Sequence, residues 1–194
     1  FGSHKATVQT NGTWSMSLPK SNFPGSSFKI KTEVTNLVGN SKTITSNAVP
    51  VDFTQPTVET LTDNVSGTAT GNITYTVAFS EAVNFFSSNS VQITNGVVAS
   101  TTAVGNDGKK YNVVVTPSSN AQGNITFTVL EGGAKNSVGN SNVAFTNSAQ
   151  AFDTKGPSVE SIEIKKSGQE VTTVSSKDSN GAVDIIINFT ENVN

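Results

Sequence analysis

Asp52-Phe53-Thr54-Gln55-Pro56-Thr57-Val58-Glu59 and Asp153-Thr154-Lys155-Gly156-Pro157-Ser158-Val159-Glu160 are one boundary written twice, with Asp, Pro, Val and Glu recurring at an offset of 101 residues. Working outward, Asn36, Val38, Gly39, Asn40 and Ser41 return as Asn136, Val138, Gly139, Asn140 and Ser141, and Pro19, Asn22 and Gly25 return as Pro117, Asn120 and Gly123. The order of the motifs is preserved. Phe79-Ser80-Glu81-Ala82-Val83-Asn84 returns as Phe189-Thr190-Glu191-Asn192-Val193-Asn194 at an offset of 110, which places nine extra residues near Lys165 to Gly181 in the last copy. A period near 100 is that of whole domains, because solenoid units run only about 20–50 residues. Residues 1–53 therefore read as the C-terminal part of one domain, 54–153 as a complete domain, and 154–194 as the N-terminal part of a further one. Phe1 in place of Met, and an end at Asn194 inside a strand-like run, read as an internal segment of something longer.

Within the complete copy, alternating segments fall at 57–62, 72–80, 90–94, 97–104, 111–116, 124–130 and 142–152. Turn chemistry separates them: Ser66-Gly67, Asn95-Gly96, Asn106-Asp107-Gly108 and Gly132-Gly133. Ile73, Tyr75, Val77 and Phe79 alternate with Thr74, Thr76 and Ala78, and Tyr111, Val113 and Val115 with Asn112 and Val114, so each strand offers one apolar face to a shared core. Seven short strands in about 100 residues is the immunoglobulin-like sandwich count. The expected fold is all-β: tandem immunoglobulin-like β-sandwich domains, one complete and two partial. Trp14 and Tyr111 follow matching Asn-Gly and Asp-Gly turns and read as core anchors.

Composition agrees and narrows the function. The chain holds 26 Thr and 24 Val, which favour strands, and 25 Ser, 22 Asn and 16 Gly, which favour turns. Twelve Lys, no Arg and fourteen acids leave a net charge of −2, a poor basis for a polyanion-binding surface, so no nucleic-acid partner is expected. The absence of Cys removes disulfides, thiolate metal sites and Cys nucleophiles. His4 is the one imidazole, so a Ser-His-Asp constellation would need it as base, yet it has no acidic neighbour in sequence to orient it, and no enzyme is expected. Gly132-Gly133 lies between strands and is too short for a phosphate loop. Apolar runs such as Val113 to Val115 and Ile185 to Ile187 fall far short of the roughly 20 residues of a membrane span, so no membrane insertion is expected.

Together, Asp52 to Pro56, Ile73 to Glu81, Val91 to Gly96 and Asn136 to Asn140 resemble the bacterial Ig-like repeats of giant surface adhesins and biofilm-associated proteins, and Asn11 to Trp14 with Leu18-Pro19 is similar to a sister repeat. The resemblance implies an extracellular position on the bacterial cell surface and a role as extender, with calcium at many domain junctions. In such a sandwich the incoming linker, the end of the second strand and the penultimate connection meet at one pole. That gathers Asp52, Glu81, Asn136 and Asn140, an all-oxygen set suited to Ca2+, with Asp153 and Glu191 as the equivalents in the third domain. Where the family has Asp at the head of its Asp-x-x-Gly-Asn motif, this chain has Asn36 and Asn136, and a neutral ligand lowers affinity. The same residues are also ordinary turn formers.

Two functions follow from different classes. The first is a structural spacer whose partners are the neighbouring repeats of its own chain, with Pro-containing linkers at Phe53 to Pro56 and Thr154 to Pro157, and with head-to-tail self-association through the incomplete end domains. The second is a ligand-binding adhesin module that contacts a glycan or protein through loops such as Asn84 to Asn89 or Lys165 to Gly181. In the Phe85-Phe86 pair, at least one ring is expected to cap the core.

Overall fold

The computed structural model describes residue 4, residues 6–173 and residues 183–193. The chain divides into two compact units, residues 1–55 with 138–140, and residues 56–137 with 141–194.

In the first unit, β1 (Ser27–Phe28) pairs with β4 (Val49–Pro50), and β2 (Lys31–Thr35) with β3 (Ser41–Thr45), both antiparallel. The β2–β3 connection is set by Asn36, whose Oδ1 accepts from the backbone N–H of Val38 (3.1 Å) and Asn40 (2.9 Å), while Gly39 takes φ of 89°. That is the Asx-turn chemistry expected of such a stretch. No described residue of this unit joins the buried apolar core. Trp14, expected as a core anchor, is instead 42% exposed, because nothing in these short ladders covers its ring.

The second unit holds the complete sandwich. Its strands are β5 (Val58–Asp63), β6 (Ile73–Phe79), β7 (Val91–Thr94), β8 (Gly96–Val104), β9 (Lys110–Pro117), β10 (Gln122–Val129) and β11 (Phe145–Asp153). They form a four-stranded sheet, β5-β6-β9-β8, and a three-stranded sheet, β11-β10-β7, with every pairing antiparallel. All seven lie where the alternation placed them. Ile73, Val77 and Phe79 of β6, Val113 and Val115 of β9, and Ile125, Phe127 and Val129 of β10 are fully buried in one core. Tyr111 is the anchor expected of it: its hydroxyl donates to the Val83 carbonyl (2.9 Å), and its ring packs 5.0 Å from Phe86. In the Phe85-Phe86 pair one ring caps the core, as expected of at least one of them. Phe86 caps the core edge-on to Phe79, whereas Phe85, at φ of 66°, is 82% exposed.

Beyond the sandwich, β12 (Val159–Lys166) pairs with β13 (Gln169–Glu170) and β14 (Val183–Phe189). The extra residues assigned to a loop near Lys165 to Gly181 begin with a tight hairpin: β12 turns into β13 through Ser167 (φ 53°) and Gly168 (φ 79°), the left-handed pair that a two-residue hairpin requires. Residues 174–181 lie outside the described residues. The β12–β14 ladder copies β5–β6. Both ladders slip register at the same point, between Val58 and Thr60 and between Val159 and Ser161. The face that β5–β6 turns to the core through Leu61, Val77 and Phe79 is presented by Ile162, Ile187 and Phe189. There it is solvent-exposed.

Candidate functional site

The pole of the sandwich where the second strand ends is closed by short polar contacts. Pro56 is fully buried, and its carbonyl accepts from Val143 N–H (3.0 Å). Thr57 and Ser80 latch onto each other: Ser80 N–H donates to the Thr57 carbonyl (2.9 Å), and Thr57 N–H to Ser80 Oγ (3.1 Å). The latch recurs between Ser158 and Thr190 at 2.9 and 3.1 Å. A bridge between Asn84 and Lys135, with N–H···O distances of 2.7 and 3.1 Å, ties the end of β6 to the β10–β11 connection.

That bridge brings together two of the residues expected to hold a metal. Asn136, only 4% exposed, donates Nδ2–H to Glu81 Oε2 (3.1 Å). Glu81 Oε1 is shielded from solvent and accepts no hydrogen bond. A buried carboxylate oxygen without a donor costs free energy that a fold ordinarily avoids. In the first unit, Asn140 Nδ2 donates to the Asp52 carbonyl (3.0 Å), while Asp52 Oδ1 accepts from Thr54 N–H (2.8 Å). Asp153 repeats that turn with Lys155 N–H (2.9 Å). The Asp52 and Asp153 carboxylates are thus turn formers first. Glu191 is exposed, and no hydrogen bond joins it to Asp153. Among the described residues, no group of three or more His, Cys, Asp or Glu gathers as a metal site would.

Three polar residues matter here that the sequence reading passed over. Asn142, fully buried, accepts from Ala134 N–H (2.8 Å) and donates to the Leu130 and Val143 carbonyls (both 2.9 Å), bracing the connection that carries Asn136. Asp63 and Tyr75 form a directly opposed cross-strand pair on β5 and β6. Burial, reinforced by the Asp63 charge, pushes the Tyr75 phenol up to about 12. Asp63 is exposed at the end of β5, one residue past the alternating segment 57–62, so no signal in the alternation pointed to it.

One family model matches residues 52–152, just over half of the chain and the stretch that holds the seven-stranded sandwich, as a bacterial Ig-like domain. The chain belongs to the bacterial Ig-like domain family. The match opens at Asp52 and closes at Phe152, so the bacterial Ig-like domain takes in the turn before Pro56 and ends on the last core residue of β11. No curated protein and no solved structure matches the chain. Bacterial Ig-like domains are typically non-enzymatic and are often found in surface proteins. No helix among the described residues is long and apolar enough to cross a membrane.

Proposed function

We propose that this chain is an extender segment of a large bacterial surface adhesin, in which bacterial Ig-like sandwiches follow one another and hold an adhesive part away from the cell. One observation supports the reading: β12–β14 repeats β5–β6 in register slip, latch and apolar face, as the opening of a further sandwich would. Calcium at the junction is part of the proposal, with Asp52, Glu81, Asn136 and Asn140 as ligands and Asp153 and Glu191 as their counterparts. Glu81 supports it, since its buried Oε1 lacks a donor and a cation would satisfy it. Asn136 would then turn its amide over to offer Oδ1 in place of Nδ2. The ligand set is poor in charge, which fits weak, extracellular-range affinity. Solution scattering of the 194-residue chain tests the spacer: an extended envelope is expected, and a compact globule refutes it.

Phe85 favours a second reading, a ligand-binding adhesin module. A bare aromatic ring held on left-handed backbone in the Asn84 to Asn89 loop is a feature that recognition sites use. Phe85→Ser abolishing adhesion, with stability unchanged, would favour that reading over the spacer.

A further inference from the structure

Between the edge strands of the two sheets lies a partly open cleft of about 90 Å3, lined inside by Leu61, Tyr75, Ile125, Phe127 and Gln150, with Asp63 and Asn147 exposed at its rim. Asn147 and Gln150 are three apart and would face opposite ways on a regular strand. A register slip between β10 and β11, where Ile125 pairs with Gln150 and Thr126 with Ser148, puts both on the cavity. Bulges re-aim side chains in this way next to functional sites.

The lining is rich in acceptors. Asp63 Oδ1 accepts only from Val65 N–H (2.9 Å). Gln150 commits its amide nitrogen to the Gly67 (2.7 Å) and Ala151 (2.9 Å) carbonyls, so the atom it can offer a ligand is the acceptor Oε1. The Tyr75 hydroxyl is buried on a side chain only 4% exposed and has no hydrogen-bond partner. No Lys or His lines the cavity. The fold does not require these groups, because in the repeated hairpin the corresponding cross-strand pair is Ile164 and Ile185. A polar pair has been placed where the sibling copy has two apolar residues.

We propose that this cavity binds a primary alkylammonium group, such as the tip of a lysine side chain. One carboxylate calls for one positive charge, and a divalent cation would need more anionic oxygens than Asp63 supplies. The three N–H donors of an ammonium match Asp63 Oδ2, Gln150 Oε1 and Tyr75 Oη. With its ionisation moved to about 12, Tyr75 stays a neutral phenol across the physiological range. At roughly 30 Å3 per water, the volume holds about three waters, or one ammonium with the methylenes behind it. Leu61, Ile125 and Phe127 would flank those methylenes, as apolar surface flanks lysine stems elsewhere.

The test is an amide-resolved NMR titration of the full chain with n-butylammonium, with Nα-acetyl-lysine methylamide, and with n-butanol and KCl as controls. Both amines should shift the signals of Asp63, Tyr75 and Gln150 with saturation, while butanol and KCl leave them in place. Asp63→Asn and Tyr75→Phe should each weaken amine binding several-fold, each variant keeping the dispersed spectrum of the folded domain. Tighter binding of the lysine derivative assigns the site to protein side chains, and tighter binding of butylammonium assigns it to free amines; either ranking supports the proposal. No saturable shift, equal shifts with butanol or KCl, or unchanged affinity in folded Asp63→Asn would overturn it.

Discussion

Replacing Gly96 with alanine should destabilise the sandwich, and the structure gives the size. β7 ends at Thr94 in the three-stranded sheet and β8 begins at Gly96 in the four-stranded one, so Asn95, at φ of 61°, is the whole connection. A Cβ on residue 96 would stand 2.8 Å from the Thr116 carbonyl oxygen, 3.2 Å from Ile125 Cδ1 and 3.3 Å from Pro117 Cα. The first contact is more than about 0.5 Å inside ordinary non-bonded range. Its partner is backbone on β9, held in the ladder by the Gly96–Pro117 and Val97–Thr116 register. Overpacking costs about 1–3 kcal/mol, and a backbone obstacle puts this site in the upper half. The lost freedom of the unfolded chain returns about 0.4–1 kcal/mol. The net loss is about 1–2 kcal/mol, a fall in melting temperature of roughly 5–15 °C for a domain near 100 residues. Gly71 is the internal control: nothing lies within 4 Å of its Cβ position and its φ is outside the left-handed region, so Gly71→Ala should raise the melting point by a few degrees. Thermal unfolding by circular dichroism reads both. If Gly96→Ala melts at or above the parent chain, or the two variants move together, the account of the sheet-to-sheet crossing is wrong.

Melting in 1 mM Ca2+ should exceed melting in chelator, by about 0.4–1.4 kcal/mol of added stability for a Kd of about 10⁻³–10⁻⁴ M, and Glu81→Gln should abolish the difference. An unchanged melting point in the parent chain refutes calcium binding. The raised ionisation of Tyr75, to about 12, and of Tyr111, raised by burial and then by Asp107, makes each neutral phenol a source of stability. That stability is complete below about pH 10, the unfolded value, and is lost as pH rises toward the folded values; a pH series of melts should fall above pH 10, less steeply in Tyr75→Phe. The uncovered apolar face of β12–β14 should drive concentration-dependent self-association of the 194-residue chain, which Ile162→Glu with Ile187→Lys should suppress. Light scattering that finds the parent chain monomeric at every concentration removes that partner.

The sandwich was legible because its strands alternate cleanly and its turns carry Gly and Asn where the backbone needs them. Tyr111 could be placed by position alone, since the complete domain supplies both sheets around it, whereas which ring of Phe85-Phe86 caps the core is decided by the left-handed backbone at Phe85. Trp14 could not, because a residue becomes a core anchor only when a second layer lies over it, and the short ladders of residues 1–55 supply none. Glu81 and Asn136 were found by asking what the topology brings to one pole, and they do meet. Asp63 and Tyr75 were missed for the opposite reason. Alternation reads Tyr75 as one more inward aromatic, and its position opposite the exposed acid Asp63 becomes visible only with the β5–β6 register.

The proposed extender role requires that few residues lie free between the sandwich and the ladder that follows it. At the outgoing end, Asp153 N–H donates to the Ala69 carbonyl (2.8 Å), and Thr154 is held three ways: its N–H donates to the Ala121 carbonyl (2.8 Å), its hydroxyl to the Ser118 carbonyl (2.6 Å), and its Oγ1 accepts from Ala121 N–H (3.1 Å). The next anchored residue is Ser158, in its latch with Thr190. Lys155, Gly156 and Pro157 are all that remain, and of these Lys155 N–H is taken by Asp153 Oδ1 and Pro157 has its φ fixed by its ring. Fully extended, three residues reach about 10 Å. Two anchored ends and a nearly fixed middle leave Gly156 as the main backbone joint, and the equivalent position before Pro56 is Gln55, which has a side chain to restrict it. A tether so short transmits orientation as well as distance, which a spacer needs and a flexible linker does not provide.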